Sequence, residues 1–269
     1  LVQDVYTMID LLKFIGLDIK LFKNKKILKI VSGKNLKTLA PYKLLKTMRA
    51  GVLVLGPLLA KYKKAKISLP GGCAIGSRPV DLHLFALKKL GAKIKIKNGY
   101  IIAESKNGLK GTKIVFPSIS VGATENAILA AFKAEGKTTL INCAIEPEVK
   151  DLIKFLNKLG GKIKILRRKI IINGCKNINE NINHKVIFDR IEAGTYMIAA
   201  ALVGKKVILN NIESKIIKTE IDVLKKMGVK IKTQKSKIEI FKSTKIKKIN
   251  VSTRPYPGFP TDLQAQLMV

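Results

Sequence analysis

A cysteine in a segment rich in glycine and proline is the side chain of this sequence best suited to proton transfer or covalent chemistry. Cys73 lies in residues 69–82, LPGGCAIGSRPVDL. The three glycines and two prolines of this segment predict a mobile loop that connects a strand to a helix. Arg78 follows five residues later, and a nearby cation favours the reactive thiolate. Free cysteine is often a small buried apolar residue instead, so the residues alone leave both roles open.

The residues after this loop predict a helix start at which an anion could bind. Pro79 and Asp81 are typical of a first helical turn, where backbone N–H groups have no partner within the helix. Asp262 follows Pro260 and Thr261 and fits the N-cap of a second helix, a role that could coexist with a catalytic one.

Other candidate side chains have plain alternatives. Arg49 falls in a predicted helix, where a surface position is the alternative to ligand binding. Two histidines, His83 and His184, carry no motif and are interpreted as structural. Two further cysteines, Cys143 and Cys175, lie in or beside strand patterns and are expected to be inert.

Composition predicts a reduced cytoplasmic protein. Of the 269 residues, 47% are apolar, enough for the core of one or two domains, yet no run approaches the roughly 20 apolar residues of a membrane helix. Three widely spaced cysteines fit neither a disulfide framework nor a CxxC metal site, so we expect no metal. The start, LVQD, has no secretion signal and no initiator Met, which predicts a fragment.

The charge of +34 is the feature that favours a polyanion partner. However, only six of the 52 basic residues are arginine, the side chain best suited to bidentate recognition of bases and phosphates. Many lysines alternate with isoleucine, as in KIKI at 93–96 and 162–165, which is typical of the solvent face of a half-buried strand. We therefore expect no specific nucleic-acid binding.

An internal repeat predicts the architecture. Four segments, LKFIG, LKKLG, LNKLG and LKKMG, end in glycines 75, 69 and 68 residues apart, and each precedes a strand, a turn and a second strand. A glycine at this place is typical of a left-handed helix C-cap. Asn98-Gly99 between two such strands predicts a type I′ hairpin turn. The four glycines are Gly16, Gly91, Gly160 and Gly228.

Upstream of the caps, the pattern predicts a β-α-β-α-β-β unit. Apolar helices are predicted at 44–59, 124–132 and 193–202, each followed by a short strand. One unit cannot cover its own helices, so several must pack together in an α/β fold. The polar, Asn-rich residues 173–184 place a domain boundary near residue 187, giving domains 1–187 and 188–269. The second domain is expected to be incomplete, because the chain stops within a helical pattern.

The string GGCAIGSRPVDLH resembles the catalytic loop, here residues 70–79, of the enolpyruvyl transferases that act on UDP-N-acetylglucosamine, in the EPSP synthase superfamily. Further strings match in the family's order along nearly the whole chain. They are PY at 41–42 with KTMRA at 46–50, SVGAT at 120–124, EPE at 146–148, DRIE at 189–192 with GT at 194–195, and FPTD at 259–262 with QAQ at 264–266.

This resemblance implies two inside-out α/β barrels built from such units. It also implies transfer of the enolpyruvyl group of phosphoenolpyruvate to the 3′-hydroxyl of UDP-N-acetylglucosamine, without a metal or organic cofactor. The product is then committed to peptidoglycan. The sequence covers only part of the family's length, so the chain by itself is expected to be inactive.

The resemblance also assigns roles by position. Cys73 matches the family's proton donor, which is the thiol that fosfomycin alkylates, and Asp262 matches the base near the sugar hydroxyl. Arg78 matches a phosphoenolpyruvate contact and Arg49 a sugar-nucleotide contact. The uridine-binding segments match Pro79, Val80, Asp81, Leu82, Ser120, Val121 and Gly122. Polar contacts between elements, rather than catalysis, are expected of Glu146, Glu148, Asp189, Arg190 and Glu192.

Two alternatives stay open at this point. The related enolpyruvyl transferase of aromatic biosynthesis shares the fold and the donor but accepts shikimate 3-phosphate. A non-catalytic remnant that binds polyanions through its lysines is the alternative from another class of protein. The cysteine-bearing loop and the PVDL string at 79–82 favour the sugar nucleotide over shikimate 3-phosphate.

Overall fold

The structure is a computed structural model and describes residues 2–22, 24, 26–33, 35–70, 80–243 and 245–269. It divides into two compact units, one of residues 1–143 with 152–182 and one of residues 144–151 with 183–269. The domain boundary near residue 187 stays a prediction. Among the described residues, no helix is both long enough and apolar enough to cross a lipid bilayer.

The first unit begins with one helix and a hairpin: α1 (Gln3–Ile15), β1 (Asp18–Phe22) and β2 (Ile27–Val31). β1 and β2 pair antiparallel. Gly16 ends α1 and donates its N–H to the carbonyl oxygens of Leu12 and Lys13. This group is the last part of one predicted repeat unit.

A complete repeat follows. Its elements are β3 (Leu39–Ala40), α2 (Tyr42–Leu45), a 3₁₀ helix (Arg49–Val54), α3 (Leu55–Tyr62), β4 (Lys64–Ser68), α4 (Asp81–Lys89), β5 (Lys93–Lys97) and β6 (Tyr100–Glu104). The sheet order is β3-β4-β6-β5. Only β3 and β4 are parallel neighbours. Asn98 and Gly99 join β5 to β6 with φ of 51° and 73°, so the predicted type I′ turn is confirmed.

The next repeat has the same topology. Its elements are β7 (Lys113–Val115), α5 (Val121–Ala131), β8 (Lys137–Ile141), α6 (Pro147–Lys158), β9 (Lys162–Leu166) and β10 (Lys169–Asn173). The sheet order is β7-β8-β10-β9, again with one parallel pair followed by antiparallel pairs. The same strand order in two successive sheets confirms the β-α-β-α-β-β unit.

The second unit contains a third copy of the pattern, in which the described residues form every element except the first strand, and the start of a further copy. Its elements are α7 (Arg190–Val203), β11 (Lys206–Asn210), α8 (Lys218–Lys226), β12 (Ile231–Gln234), β13 (Lys237–Phe241), a 3₁₀ helix (Thr261–Leu263) and α9 (Gln264–Met268). The sheet order is β11-β13-β12. Apolar residues of α7, α8 and this sheet, among them Met197, Ile217 and Ile238, form one core.

All four predicted cap glycines adopt positive φ. The values are 116° at Gly16, 99° at Gly91, 101° at Gly160 and 93° at Gly228. An L side chain is strained in this region, so glycine terminates each helix and turns the chain into the following strand. The repeat inferred from the sequence is therefore present in the backbone.

The single long helix predicted for residues 44–59 is wrong. Met48 has an extended backbone, with φ −132° and ψ 108°, and separates α2 from the 3₁₀ helix. The break lets Leu45 fold back on Gly51, where a Cβ would lie 2.9 Å from the Leu45 Cγ atom. Leu45 and Met48 are both buried, so tertiary packing outweighs the helical pattern here.

The first unit buries a central helix and exposes the outer faces of its strands. α5 is rich in alanine and packs against α3, α4 and the 3₁₀ helix Arg49–Val54. In β5 and β9, the lysines that alternate with isoleucine are exposed, as predicted. The described strands form open sheets, and the α/β class is confirmed.

Candidate functional site

A buried histidine joins two of the predicted substrate-binding segments. His83, in the first turn of α4, is 4% exposed, and its Nδ1 lies 3.2 Å from Nδ2 of Asn126 in α5. Two further hydrogen bonds orient the amide: Gly56 N donates to Oδ1 at 2.9 Å, and Nδ2 donates to Val52 O at 3.2 Å. Since Nδ2 can only donate, Nδ1 of His83 accepts, and the imidazole proton lies on Nε2.

Electrostatics keep this imidazole neutral. Burial, assisted by the positive charge of Arg49 and opposed by Asp81, lowers the pKa of His83 to about 4. Arg49 is the first residue of the 3₁₀ helix and is partly buried, whereas Asp81 begins α4 and is exposed. At neutral pH, His83 therefore has an N–H at Nε2 that can donate a hydrogen bond, and the ring does not act as a base.

The ring packs directly against the first turn of α5. A Cβ built at Gly122 would lie 3.1 Å from Cε1 and 3.3 Å from Nε2 of His83, closer than most side-chain contacts. Ser120 caps the same turn, accepting a hydrogen bond from Ala123 N at 3.3 Å. Glycine at position 122 thus leaves room for the imidazole beside the start of α5.

The structure brings together several of the residues predicted to bind substrate. Arg49 and Asp81 act on His83 electrostatically, and Gly122 lies against its ring. Val80 is the N-cap of α4, Leu82 follows in its first turn, and Val121 begins α5. Cys73, Arg78 and Pro79 lie outside the described residues.

His83 and Asn126 are site residues that the sequence interpretation missed. The sequence predicts a structural role for His83, and its buried hydrogen bond agrees with that role. Its position among the binding segments comes from the structure. One sequence signal could have identified them: each is a polar residue with apolar neighbours in a helix. Both His83 and Asn126 are buried, and neighbours such as Leu84, Ala127 and Ile128 are apolar. Buried polar side chains require partners, which predicts a contact without identifying it.

Asp262 belongs to the second unit and is not a helix N-cap. It is exposed and is the middle residue of the 3₁₀ helix Thr261–Leu263, which Pro260 precedes without a side-chain capping hydrogen bond. The N-cap prediction is wrong because the helical turn begins one residue before Asp262. The capping alternative is removed, and the catalytic role stays a prediction.

Helix α7 holds the residues around Asp262. Leu263 is fully buried, and a Cβ at Gly194 would lie 2.3 Å from its Cδ1. Gln266 Nε2 donates to Thr195 Oγ1 at 3.1 Å. The GT and QAQ strings, distant in sequence, are therefore in contact.

Three of the five polar residues expected to join elements do so, namely Glu146, Glu148 and Arg190. Asp189 caps its own helix instead, and the contact expected of Glu192 stays a prediction. Arg190 donates from Nε and Nη2 to the two carboxylate oxygens of Glu148, at 3.3 and 3.2 Å. Asp189 caps α7 by accepting from Ile191 N and Glu192 N. His184 Nε2 lies 3.0 Å from the Asp151 carboxylate.

Comparison with known proteins places this geometry in a family. The family model for EPSP synthase (3-phosphoshikimate 1-carboxyvinyltransferase) matches residues 1–269, the whole chain. The chain belongs to the EPSP synthase family.

Curated relatives within the EPSP synthase family are similar along the whole chain. The UDP-N-acetylglucosamine 1-carboxyvinyltransferase of Pelagibacter ubique (strain HTCC1062) is 59% identical over 269 residues, which are 100% of this chain and 64% of that protein. The protein of the same name from Endomicrobium trichonymphae is 48% identical over 266 residues, 98% of this chain and 63% of its own length. The chain thus spans less than two thirds of these relatives.

Solved structures agree on the EPSP synthase fold. The enolpyruvyl transferase NikO from Streptomyces tendae superposes with a TM-score of 0.82 at 18% identity, covering 97% of this chain and 62% of that one. An EPSP synthase from Acinetobacter baumannii gives 0.67 at 20% identity, covering 90% and 57%. At these identities the likeness establishes the fold.

The site chemistry of this EPSP synthase family member suits a polar, anionic ligand. Around His83 it offers an imidazole N–H donor, the guanidinium of Arg49, and N–H groups in the first turns of α4 and α5. Among residues 2–22, 24, 26–33, 35–70, 80–243 and 245–269, no three His, Cys, Asp or Glu side chains cluster so as to hold a metal ion.

Proposed function

We propose that the full-length protein transfers the enolpyruvyl group of phosphoenolpyruvate to the 3′-hydroxyl of UDP-N-acetylglucosamine and releases phosphate. The observation that carries the proposal is the 59% identity, over all 269 residues, with a protein named for this substrate. The cytoplasm is the proposed location, and the product enters peptidoglycan synthesis and so serves cell-wall growth and division.

The proposed reaction is an addition followed by an elimination. The sugar hydroxyl attacks C2 of phosphoenolpyruvate and gives its proton to Asp262, while Cys73 protonates C3. In the tetrahedral intermediate C2 bears the sugar oxygen, the carboxylate, a methyl group and the phosphate. Loss of a proton from the methyl group and cleavage of the C2–O bond to phosphate then form the enolpyruvyl ether.

Binding in this proposal is divided between the two substrates. The nucleotide is assigned to Arg49 and to two segments, one of Pro79, Val80, Asp81 and Leu82 and the other of Ser120, Val121 and Gly122. Arg78 takes phosphoenolpyruvate. The support is the packing of His83 against Gly122 and its electrostatic coupling to Arg49 and Asp81.

Mass spectrometry after fosfomycin treatment tests the assignment of Cys73. We expect one adduct, on Cys73, that forms faster when UDP-N-acetylglucosamine is present. Cys143 and Cys175 are internal controls, because both are buried and their Sγ atoms contact the carbonyl oxygens of Arg168 and Asn177. An adduct on either control residue in the folded protein contradicts the assignment.

Phosphate release tests the acceptor. We expect release from phosphoenolpyruvate to require UDP-N-acetylglucosamine and to be abolished in Cys73→Ala. Release that depends on shikimate 3-phosphate instead would assign the related enzyme. Salt-sensitive binding of DNA, tighter than that of the sugar nucleotide and with no turnover, would favour the polyanion-binding alternative.

A further inference from the structure

A buried polar cluster lies beside the residues that lead to Asp262. It consists of Glu146, Glu148, Arg190, Glu220 and Tyr256, and we call it the Arg190 cluster. Glu146, Arg190 and Glu220 are 4%, 8% and 3% exposed. Charged side chains are rarely buried to this extent unless they are paired, so removing one partner would leave another charge buried without compensation.

Arg190 is the centre of the cluster. Its guanidinium makes a bidentate contact with Glu148 and lies 3.7 Å from the Glu220 carboxylate. Burial disfavours the charge of Arg190. The hydrogen bonds and charge of Glu148, together with the charges of Glu220 and Glu146, favour it more strongly and raise the pKa of Arg190. The guanidinium therefore stays charged and tightly held.

The cluster anchors one turn of the chain. Residues 253–259 form a turn, which we call the turn 253–259. Its two ends are joined by a β-bridge between Thr253 and Phe259 and by a hydrogen bond from Arg254 N to Phe259 O at 2.9 Å. Tyr256 N at the tip donates to Glu146 Oε1 at 3.2 Å. The Tyr256 ring lies under Arg190, with its centroid 6.0 Å from the guanidinium carbon.

The turn 253–259 leads directly to the predicted base. Phe259 and Pro260 are buried, and Leu263 N donates to Pro260 O at 3.2 Å, which closes the 3₁₀ helix that carries Asp262. On its other side this helix is held by α7, where Leu263 packs on Gly194. Because Arg190 is the first residue of α7, one helix supplies both supports.

We propose that Glu146 and Arg190 are positioning residues that hold Asp262 in place through the turn 253–259. The proposal rests on the proposed function, which makes Asp262 the base. Glu146 supplies the acceptor for a backbone N–H, and Arg190 holds the Tyr256 ring. Asp262 itself is exposed, so its placement depends on the buried residues before and after it.

The test compares Glu146→Leu, Glu146→Gln and Glu213→Leu in the full-length protein. Glu146→Leu removes the acceptor for Tyr256 N, whereas Glu146→Gln keeps an oxygen in its place. Glu213 is an exposed residue of the same unit, so Glu213→Leu controls for the general effect of the substitution. Amide hydrogen exchange over residues 252–266 and steady-state turnover are measured for each.

Glu146→Leu is expected to speed exchange in residues 252–266 and to lower kcat by up to about 10²-fold, the loss that a misplacement of about 1 Å can cause. The Michaelis constant for phosphoenolpyruvate should change little, since the cluster holds Asp262 and not this substrate. Glu146→Gln should restore most of kcat, which a purely charge-dependent role would not allow. Glu213→Leu should behave as wild type.

Unchanged exchange in Glu146→Leu, or faster exchange with unchanged kcat, overturns the proposal. If wild-type protein shows no turnover, the proposed function fails, and the exchange data still decide whether Glu146 anchors the turn. Should Glu146→Leu not fold, Tyr256→Leu removes the ring that lies under Arg190 and is expected to speed exchange in residues 252–266 and to lower kcat in the same way. Wild-type exchange and kcat in Tyr256→Leu would then contradict the proposal.

Discussion

Nδ1 of His83 lies 3.2 Å from Nδ2 of Asn126, and this buried hydrogen bond joins the first turn of α4 to the middle of α5. The Asn126 amide also contacts Gly56 N and Val52 O, so it links three stretches of the first unit. A Cβ at Gly56 would lie 2.4 Å from Asn126 Oδ1. Glycine at position 56 is therefore needed for the amide to reach its partners.

Stability should depend on pH through His83. Its pKa is lowered from 6.5 to about 4 in the folded protein, so only the unfolded chain takes up this proton as the pH falls between those values. Stability is fully present above pH 6.5 and decreases toward pH 4. Between pH 7.5 and pH 5 the loss should be about 2 kcal/mol.

Urea unfolding of wild type and His83→Gln at both pH values measures this contribution. The glutamine can accept from Asn126 but does not titrate in this range. Glu220 acts in the opposite direction, because burial, only partly offset by Arg190, raises its pKa. That effect is present in both proteins and cancels in the comparison. Equal pH dependence in wild type and variant would rule out the lowered pKa of His83.

Asn126→Asp should raise the pKa of His83. The substitution replaces the donor Nδ2 by a carboxylate oxygen that faces the Nδ1 lone pair and Val52 O. Protonation of Nδ1 relieves the repulsion, and a carboxylate this close raises a histidine pKa by about 1 to 3 pH units. NMR titration of the imidazole Cε1 proton of His83 measures the change.

Asn157→Asp is the matched control for this substitution. Asn157 also makes two hydrogen bonds with backbone, to the N–H and the carbonyl oxygen of Ile163. The change should destabilise the protein without moving the His83 resonance. A His83 pKa that stays near 4 in Asn126→Asp would show that the amide does not determine its protonation.

Arg190→Met should be far more destabilising than Glu220→Gln. Loss of the guanidinium leaves buried Glu146 and Glu220 without their cation, which costs about 3–5 kcal/mol when one partner of a buried pair is removed. Glu220→Gln removes a charge that burial already disfavours and should cost less than about 1 kcal/mol. Denaturant unfolding measures both, and exposed Arg254→Met is the control. Similar losses in all three variants would contradict a cooperative cluster.

Gly122→Ala should weaken binding of UDP-N-acetylglucosamine. The added methyl would lie 3.1 Å from His83 Cε1, so the ring or the start of α5 must shift. Overpacking of this kind costs about 1–3 kcal/mol, and about tenfold weaker binding corresponds to the lower end. Isothermal titration calorimetry measures the affinity. Wild-type affinity at an unchanged melting temperature would show that the binding segments tolerate the shift.

The repeat and the local backbone could be predicted from the order of residues alone. Gly16, Gly91, Gly160 and Gly228 end helices, and Asn98-Gly99 forms a hairpin turn, because each needs a positive φ that few residues tolerate. Alternating lysine and isoleucine determined the exposed strand faces, because successive side chains of a strand point to opposite sides. These features depend on neighbours in sequence.

The contacts between residues distant in sequence become visible in the three-dimensional fold. The bond between His83 and Asn126, the contact of Gly194 with Leu263, and the anchoring of Tyr256 by Glu146 join residues that no local pattern relates. The same packing breaks the helix predicted at 44–59, because Met48 becomes extended so that Leu45 can reach Gly51. Side-chain packing and the pairing of buried polar groups act across the fold, and local propensity does not contain them.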